Sequence, residues 1–219
     1  MSSRALKKLY FALLILRYGG AALFLRHLKC QIYDSAIFLG LEKDLNVECI
    51  PVPCQVDYSL HVASEEDVWE MQLRAKSEGG ESVYELIGRK WYYDSGFRDC
   101  YIARVNGTNE LCFVQFMMSL ADYDSIDQSY KSILPRLKED EVWLENSYTF
   151  KKYRGKKVMS SVLVDLEKIA QDRGFRRMVT YIREDNIASI KGCERAGFTI
   201  FEQIPETKLL FSTSRKYNS

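Results

Sequence analysis

Between Met159 and Ala170 apolar side chains recur at Met159, Val162, Leu163, Leu166, Ile169 and Ala170, the spacing of three and four that puts one stripe on an α-helix. Gly174 marks its end. On either side the period drops toward two, in "EVWLENSYTF" (141–150) and "RRMVTYIRED" (176–185), which predicts two strands flanking the helix. A second helix is predicted over 187–196, stopped by Gly197, and "FTIFEQIPETKLLFST" (198–213) reads as a closing hairpin.

Upstream, "YSLHVA" (58–63) reads as a strand, and "SEEDVWEMQLRA" (64–75) as a helix capped by Ser64 with three acids in its first turn. A further helix is predicted over "ESVYELIGRKWY" (81–92). "DCYIARVNGTNELCFVQFMMS" (99–119) alternates and turns at Asn106-Gly107, a hairpin signal, and a polar loop follows over 121–140. This order predicts a mixed α/β sheet, neither a repeat nor a doubly wound fold.

The first 56 residues follow other rules. "RALKKLYFALLILRYGGAALFLRHLK" (4–29) opens like a signal peptide, but Arg17 interrupts the apolar run, no small-residue cleavage site follows, and a span of about 20 residues would bury that arginine. Two short helices hinged at Gly19 and Gly20 are predicted instead, packed on the body or a second copy, or anchored at a membrane surface. "DSAIFLGLEKDL" (34–45) reads as a strand, and "NVECIPVPCQVD" (46–57) as a linker, because two prolines one residue apart forbid a helix. The boundaries expected are therefore an arm over 1–30, a strand and linker over 31–56, and a domain over 57–219.

Charge sharpens that division. The 219 residues carry a net charge of only +1, so nothing global suggests nucleic acid, yet residues 1–30 hold Arg4, Lys7, Lys8, Arg17, Arg26 and Lys29 and no acid. A basic apolar arm on a mildly acidic body suits a membrane face or an acidic partner. The six cysteines are scattered without a CxxC pair and there are two histidines, so no metal site is expected and reduced thiols fit a cytoplasmic protein. Cys49 and Cys54 flank the stiff "IPVP", and whether they meet is left open by the sequence.

The chemistry is expected at "KKYRGKKVM" (151–159), where a strand passes through one glycine into a helix. Backbone N–H groups at such a junction converge on one spot, and anions bind there. Lys152, Arg154, Lys156 and Lys157 oppose the helix dipole unless something strongly anionic sits on them. Neither GxxxxGK[ST] nor GxGxxG is present, which argues against Walker and Rossmann nucleotide sites.

"YTFKKYRGKKVMSSVL", followed about thirty residues later by "NIASIKGCERAGF", resembles the acetyl-CoA-binding core of the GNAT superfamily of N-acetyltransferases. The resemblance spans roughly residues 57–212. It implies a mixed, mostly antiparallel sheet flanked by helices, here with an N-terminal helical extension, and acetyl-CoA as co-substrate with no metal. Against the family's [QR]xxGx[GA] loop, Gly155 matches the central glycine and Arg154 the usual arginine. Lys152 and Lys157 replace the outer positions and Met159 a frequent third glycine. Amides from Arg154 through Val158 to Met159 would then hold the pyrophosphate, and Lys157 would cap a phosphate or point to water. Asn186 matches the asparagine that contacts the pantetheine arm, although capping the helix at Ile187 explains it equally. Ser189 shares that face. Cys193 stands where many members carry a tyrosine acid, and a packed thiol is too short to replace it.

Attack by an amine calls for a base, because ammonium has no free lone pair. Glu141 and Glu145 share one face of the strand before the loop. Glu141 has the offset of the base in the family's histone-acetylating branch, and Glu145 lies closer to the expected acetyl position. Backbone N–H groups from Ser147 to Thr149 are the expected oxyanion donors. The acceptor pocket is expected from the helices after Ser64 and around Leu86 and from loop 120–140. "PRLKEDEVWLENSYTFKKYRGKKV" and "SIKGCERAGF" are similar to family members of bacterial polysaccharide and glycolipid synthesis. That resemblance implies an amine on a nucleotide- or lipid-linked amino sugar, acetylated at the inner face of the membrane. The alternative is a catalytically degenerate module that binds acyl-CoA without turnover.

Overall fold

The computed structural model describes residues 3–47, 50–210 and 212–217. Eight strands form one sheet: β1 (Tyr33–Asp44), β2 (Tyr58–Val62), β3 (Cys100–Val105), β4 (Leu111–Ser119), β5 (Glu141–Thr149), β6 (Arg177–Arg183), β7 (Thr199–Leu209) and β8 (Ser212–Arg215). Their spatial order is β2-β3-β4-β5-β6-β1-β7-β8. Every neighbouring pair is antiparallel except β5 and β6. This is the fold the motif resemblance implies.

Among the described residues five α-helices cover the sheet: α1 (Ser3–Ile32), α2 (Glu65–Glu78), α3 (Glu81–Asp94), α4 (Val158–Asp172) and α5 (Ile187–Arg195). Neighbouring residues of a strand face opposite sides, and β2 shows which helix lies where. Tyr58 donates its hydroxyl to Asp165 on α4 at 2.6 Å. The next residue, Ser59, sits opposite Arg104, which pairs with Asp67 and Glu70 of α2. Hence α2 and α4 lie on opposite faces, and all nine residues of β4 are buried between such layers. The predicted cap of α2 forms in full: Ser64 and Asp67 exchange side-chain hydrogen bonds with each other's backbone N–H, worth about 1 kcal/mol.

Two expectations about the first 56 residues change. The predicted strand at 34–45 is β1, but it lies inside the sheet, bonded to β6 on one side and β7 on the other. The linker after it is also tied down, with the Gln55 N–H donating to the Lys156 carbonyl at 3.1 Å. No break in the fold falls at residue 57. The hinge in the arm is real: Gly20 takes φ 79° and ψ 177° inside α1, and the two halves fold back on the body. By length and composition alone Leu9–Cys30 could cross a membrane. Here Ala12, Leu14 and Ile15 are buried, and Phe11 packs against Tyr84 and Trp91 of α3. Cys49 lies outside the described residues, and the Cys54 thiol sits 3.5 Å from the Lys156 carbonyl oxygen.

Candidate active site

The parallel pair β5 and β6 is hydrogen-bonded only from Glu141–Leu144 against Arg177–Thr180. Beyond Leu144 the strands part. β6 stays with β1, and β5 stays with β4 through a bulge in which Asn146 and Ser147 face the single residue Gln115. Asn146 adopts φ 58°, a left-handed conformation that asparagine tolerates better than most residues.

Buried side chains hold that bulge open. Gln115 donates to the Glu145 carbonyl at 2.9 Å. Arg89, only 4% exposed, donates to the carbonyls of Asn146 at 2.9 Å and Ser147 at 2.6 Å. In a trans peptide the carbonyl and the next N–H point opposite ways, so the N–H groups of Ser147 and Tyr148 are directed away from the guanidinium.

A cavity of about 740 Å³ opens at this parting. Glu145, Asn146 and Ser147 of β5 line it, with Thr180 to Arg183 of β6 and Asn186 and Ser189 at the start of α5. Its far walls come from α3 (Tyr84, Arg89, Trp91, Tyr92), the hairpin β7–β8 (Glu206, Lys208, Arg215) and the loop 120–140 (Asp127, Tyr130, Ile133). The last wall is α1, through Phe11, His27 and Leu28. The loop contributes as expected from sequence; α2 supplies no lining residue among those described, and the arm takes its place.

The two candidate bases separate. Glu145 faces the cavity, where burial pushes its carboxyl above the ordinary range against the opposing pull of Arg215. Glu141 lies at the far end of β5, outside that lining, and accepts from Arg177, which also pairs with Glu42 on β1. Four residues of strand, about 13 Å, separate them.

Beyond Thr149 the chain enters the loop before α4. Gly155 and Lys157 both take left-handed backbone, φ 76° and 62°. Lys157 is the N-cap of α4, and no side chain caps the helix there. The four cations divide: Lys152 pairs with Glu110 at 2.6 Å, and Arg154 donates to the Thr149 carbonyl at 3.0 Å and lies over the Tyr148 ring. Lys156 and Lys157 form no ion pair among the described residues. Val158 is buried, and Met159 packs where a Cβ on Gly192 of α5 would stand, 2.9 Å from its sulfur. Asn186 does cap α5, accepting from the Ser189 N–H at 3.2 Å, while both residues line the cavity. Cys193 is 1% exposed, and burial pushes its thiol up to about 12, which fits a packed core residue.

Arg89, Tyr92, Glu206 and Arg215 were not legible as site residues. For Arg89 a signal existed, because it falls on the buried stripe of α3 with Leu86 and Tyr92. The other three depend on where β7, β8 and α3 meet in space.

Residues 65–198 match the model of the acetyltransferase (GNAT) family. No curated protein sequence is significantly similar to the chain. Among solved structures, it is similar to a GCN5-related glucosamine N-acetyltransferase region of a fungal multi-domain GH3 beta-N-acetylglucosaminidase, with TM-score 0.57 and 13% identity over 83% of this chain and 22% of that one. It is also similar to a GCN5-related N-acetyltransferase from Sphaerobacter thermophilus (TM-score 0.54, 12% identity, 87% of this chain and 57% of that one). A GNAT-family acetyltransferase from Colwellia psychrerythraea gives TM-score 0.52 and 16% identity over 84% of this chain and 59% of that one. At these identities the likeness is one of fold, and the chain spans less than two thirds of each of those structures' length.

Proposed function

The chain belongs to the acetyltransferase (GNAT) family, and from that premise we propose that it transfers an acetyl group from acetyl-CoA to a primary amine by direct attack. The observation that carries this reading is Glu145, a partly buried carboxylate facing the cavity where β5 and β6 part.

The loop before α4 fits a pyrophosphate. Its two left-handed residues turn successive N–H groups toward one side, the helix N-terminus has no competing side-chain cap, and Lys156 and Lys157 have charge to spare. Amides from Gly155 to Met159 hold the phosphates in this reading, and the Asn186 amide and Ser189 hydroxyl meet the pantetheine arm. Acetyl-CoA, when bound, supplies a thioester carbonyl. The amine nitrogen forms a bond to that carbon as the C–S bond breaks, and the sulfur leaves as thiolate to become free CoA thiol. Glu145 takes the amine's proton, and N–H groups of the Ser147–Thr149 stretch stabilise charge building on the carbonyl oxygen. Cys193 takes no part; thiolate is a fair leaving group without an acid.

The acceptor proposed is an amino sugar on a nucleotide or lipid carrier, handled at the cytoplasmic face of a membrane. What supports the membrane is α1: Leu13 and Leu16 are exposed on its first half, which also carries Arg17, and Lys29 lies on its second half. Two experiments test the reading. Release of free thiol from acetyl-CoA, followed over a broad amine panel including nucleotide-linked amino sugars, is expected above background. CoA binding with no turnover on any amine would instead favour a binding module, the alternative reading. Flotation with anionic liposomes is expected for the full chain and not for one lacking residues 1–30.

A further inference from the structure

Three residues lining the cavity each carry a buried polar atom with no hydrogen-bond partner among the described residues: Glu145 (Oε2), Arg215 (Nη1) and Tyr92 (Oη). They reach it from β5, β8 and α3. Tyr92 is 3% exposed, and the side chains of Arg215 and Glu145 are 6% and 17% exposed. Leaving such atoms unpaired is costly, so three at one cavity mark where polar groups of a ligand belong. Glu145 Oε2 and Arg215 Nη1 stand 3.8 Å apart, too far to bond each other, and Arg215 spends its Nε on Glu206 at 2.6 Å.

The charges define the ligand further. Ion pairs run from Asp185 to Arg183 (3.2 Å), Asp34 (3.2 Å), Lys208 (3.9 Å), Glu206 (3.8 Å), Arg215 and finally Glu145. Three acids (Asp34, Glu206, Glu145) alternate with three bases (Arg183, Lys208, Arg215), the exposed Asp185 lies beyond Arg183, and Glu145 is the end that faces the cavity. Arg89 acts on the Glu145 carboxyl through space but bonds Glu85 and the β5 carbonyls, and burial beside Lys208 lowers the affinity of His27 for a proton, so neither takes the place of a donor at Glu145 Oε2.

We propose that the cavity recognises a vicinal amino alcohol, with the ammonium on Glu145 Oε2 and the neighbouring hydroxyl oxygen accepting from Arg215 Nη1, Tyr92 Oη completing the set. A nitrogen and an oxygen on adjacent carbons are spaced to bridge the gap between carboxylate and guanidinium. A simple amine satisfies Glu145 and leaves Arg215 and Tyr92 unpaired. An α-amino acid presents the same two atoms but sets its carboxylate against Glu145 and Glu206, the two carboxylates that already flank Arg215. The inference rests on Glu145 being the residue that meets the acceptor's amine, but its test does not require turnover.

Calorimetric titration of the full chain at pH 7 with trans-2-aminocyclohexanol, cyclohexylamine and 1-aminocyclohexanecarboxylate provides that test. The amino alcohol is expected to bind at least ~10-fold more tightly than either other amine, the scale of one well-placed hydrogen bond. Arg215→Met is expected to abolish that preference. Because removing Arg215 could also disturb β8, Tyr92→Phe, which deletes one oxygen, carries the test independently and is expected to reduce the preference at least ~3-fold. Equal affinities in the unmodified chain, no binding of any of the three, or a preference unchanged by Tyr92→Phe overturns the proposal. Tighter binding of the amino acid overturns it in favour of a zwitterion. Selective binding of the amino alcohol without thiol release from acetyl-CoA would uphold this inference while sinking acetyl transfer.

Discussion

Arg89 on α3 holds the carbonyl of Ser147 on β5 at 2.6 Å, reaching across from a helix to a strand bulge. It holds the Asn146 carbonyl as well, so one buried guanidinium determines how two successive peptides face. In Arg89→Met both carbonyls lose their donor. We expect kcat to fall about 100-fold, the scale of losing a properly aimed oxyanion donor, with a smaller change in KM for acetyl-CoA. Melting should also drop by several degrees, because buried carbonyls are left unpaired. A variant with full kcat and a normal bulge would show that Arg89 does not position β5.

Gly155 and Lys157 share left-handed backbone, and they should respond oppositely to substitution. A Cβ at Gly155 meets nothing within 4 Å, so the obstacle to Gly155→Val is backbone conformation, severe for a β-branched residue. It should abolish CoA binding measured by calorimetry. Lys157→Gly relieves a non-glycine residue at φ 62° and should leave binding within about threefold, one charge being lost at an exposed position. Loss of binding in the lysine variant alone would make its side chain, not the backbone, the anion ligand.

Glu145 predicts a pH dependence of both rate and stability. As base it must be ionised, so kcat/KM should fall as pH drops through its raised pKa, at a higher pH than an exposed glutamate would give. The linkage runs the other way for stability. A carboxyl whose folded pKa is raised favours the fold below its unfolded pKa and loses that contribution as pH rises through the folded value. Glu145→Gln should therefore raise the melting temperature at pH 8 relative to the unmodified chain, with little gain at pH 4. Its rate should fall about 100-fold or more. An unchanged acid limb in the pH profile of the Gln variant would remove Glu145 from the role.

Asn186 joins a cap to the cavity, and the two roles separate by chemistry. Asn186→Asp keeps the oxygen that accepts from the Ser189 N–H but loses the amide donor. Melting should stay within about 2 °C while KM for acetyl-CoA rises several-fold. Asn186→Ala should additionally cost about 1 kcal/mol of stability as the cap is lost. A normal KM in the Asp variant would reduce Asn186 to a cap.

In α1, Ile15 and Leu13 separate packing from surface. Ile15 is fully buried and Leu13 is 49% exposed. Ile15→Ala should cost about 2–4 kcal/mol, read from denaturant unfolding. Leu13→Glu should leave stability nearly unchanged and weaken liposome flotation. If Leu13→Glu floats normally, the exposed leucines of α1 do not contact lipid.

Local order was legible in the sequence because it follows from local rules. The 3.6-residue stripe from Met159 to Ala170, the Ser64 cap, the Asn106-Gly107 turn, the hinge at Gly20 and the glycine-helix junction at Gly155 each depend on residues within a few positions of one another. The motif pair around Gly155 and Asn186, correctly spaced, was enough to point to the family and the fold. What the tertiary structure alone decided depends on contacts distant in sequence. β1 reads as a strand anywhere, but only pairing with both β6 and β7 makes it interior. Glu141 and Glu145 look equivalent at period two, and only the parting of β5 from β6 after Leu144 gives one of them the cavity and the other Arg177. Arg215 reaches Glu145 across seventy residues of chain, and α1 becomes a cavity wall by folding back on α3. Such encounters are set by the packing of whole layers, which no short window of sequence encodes.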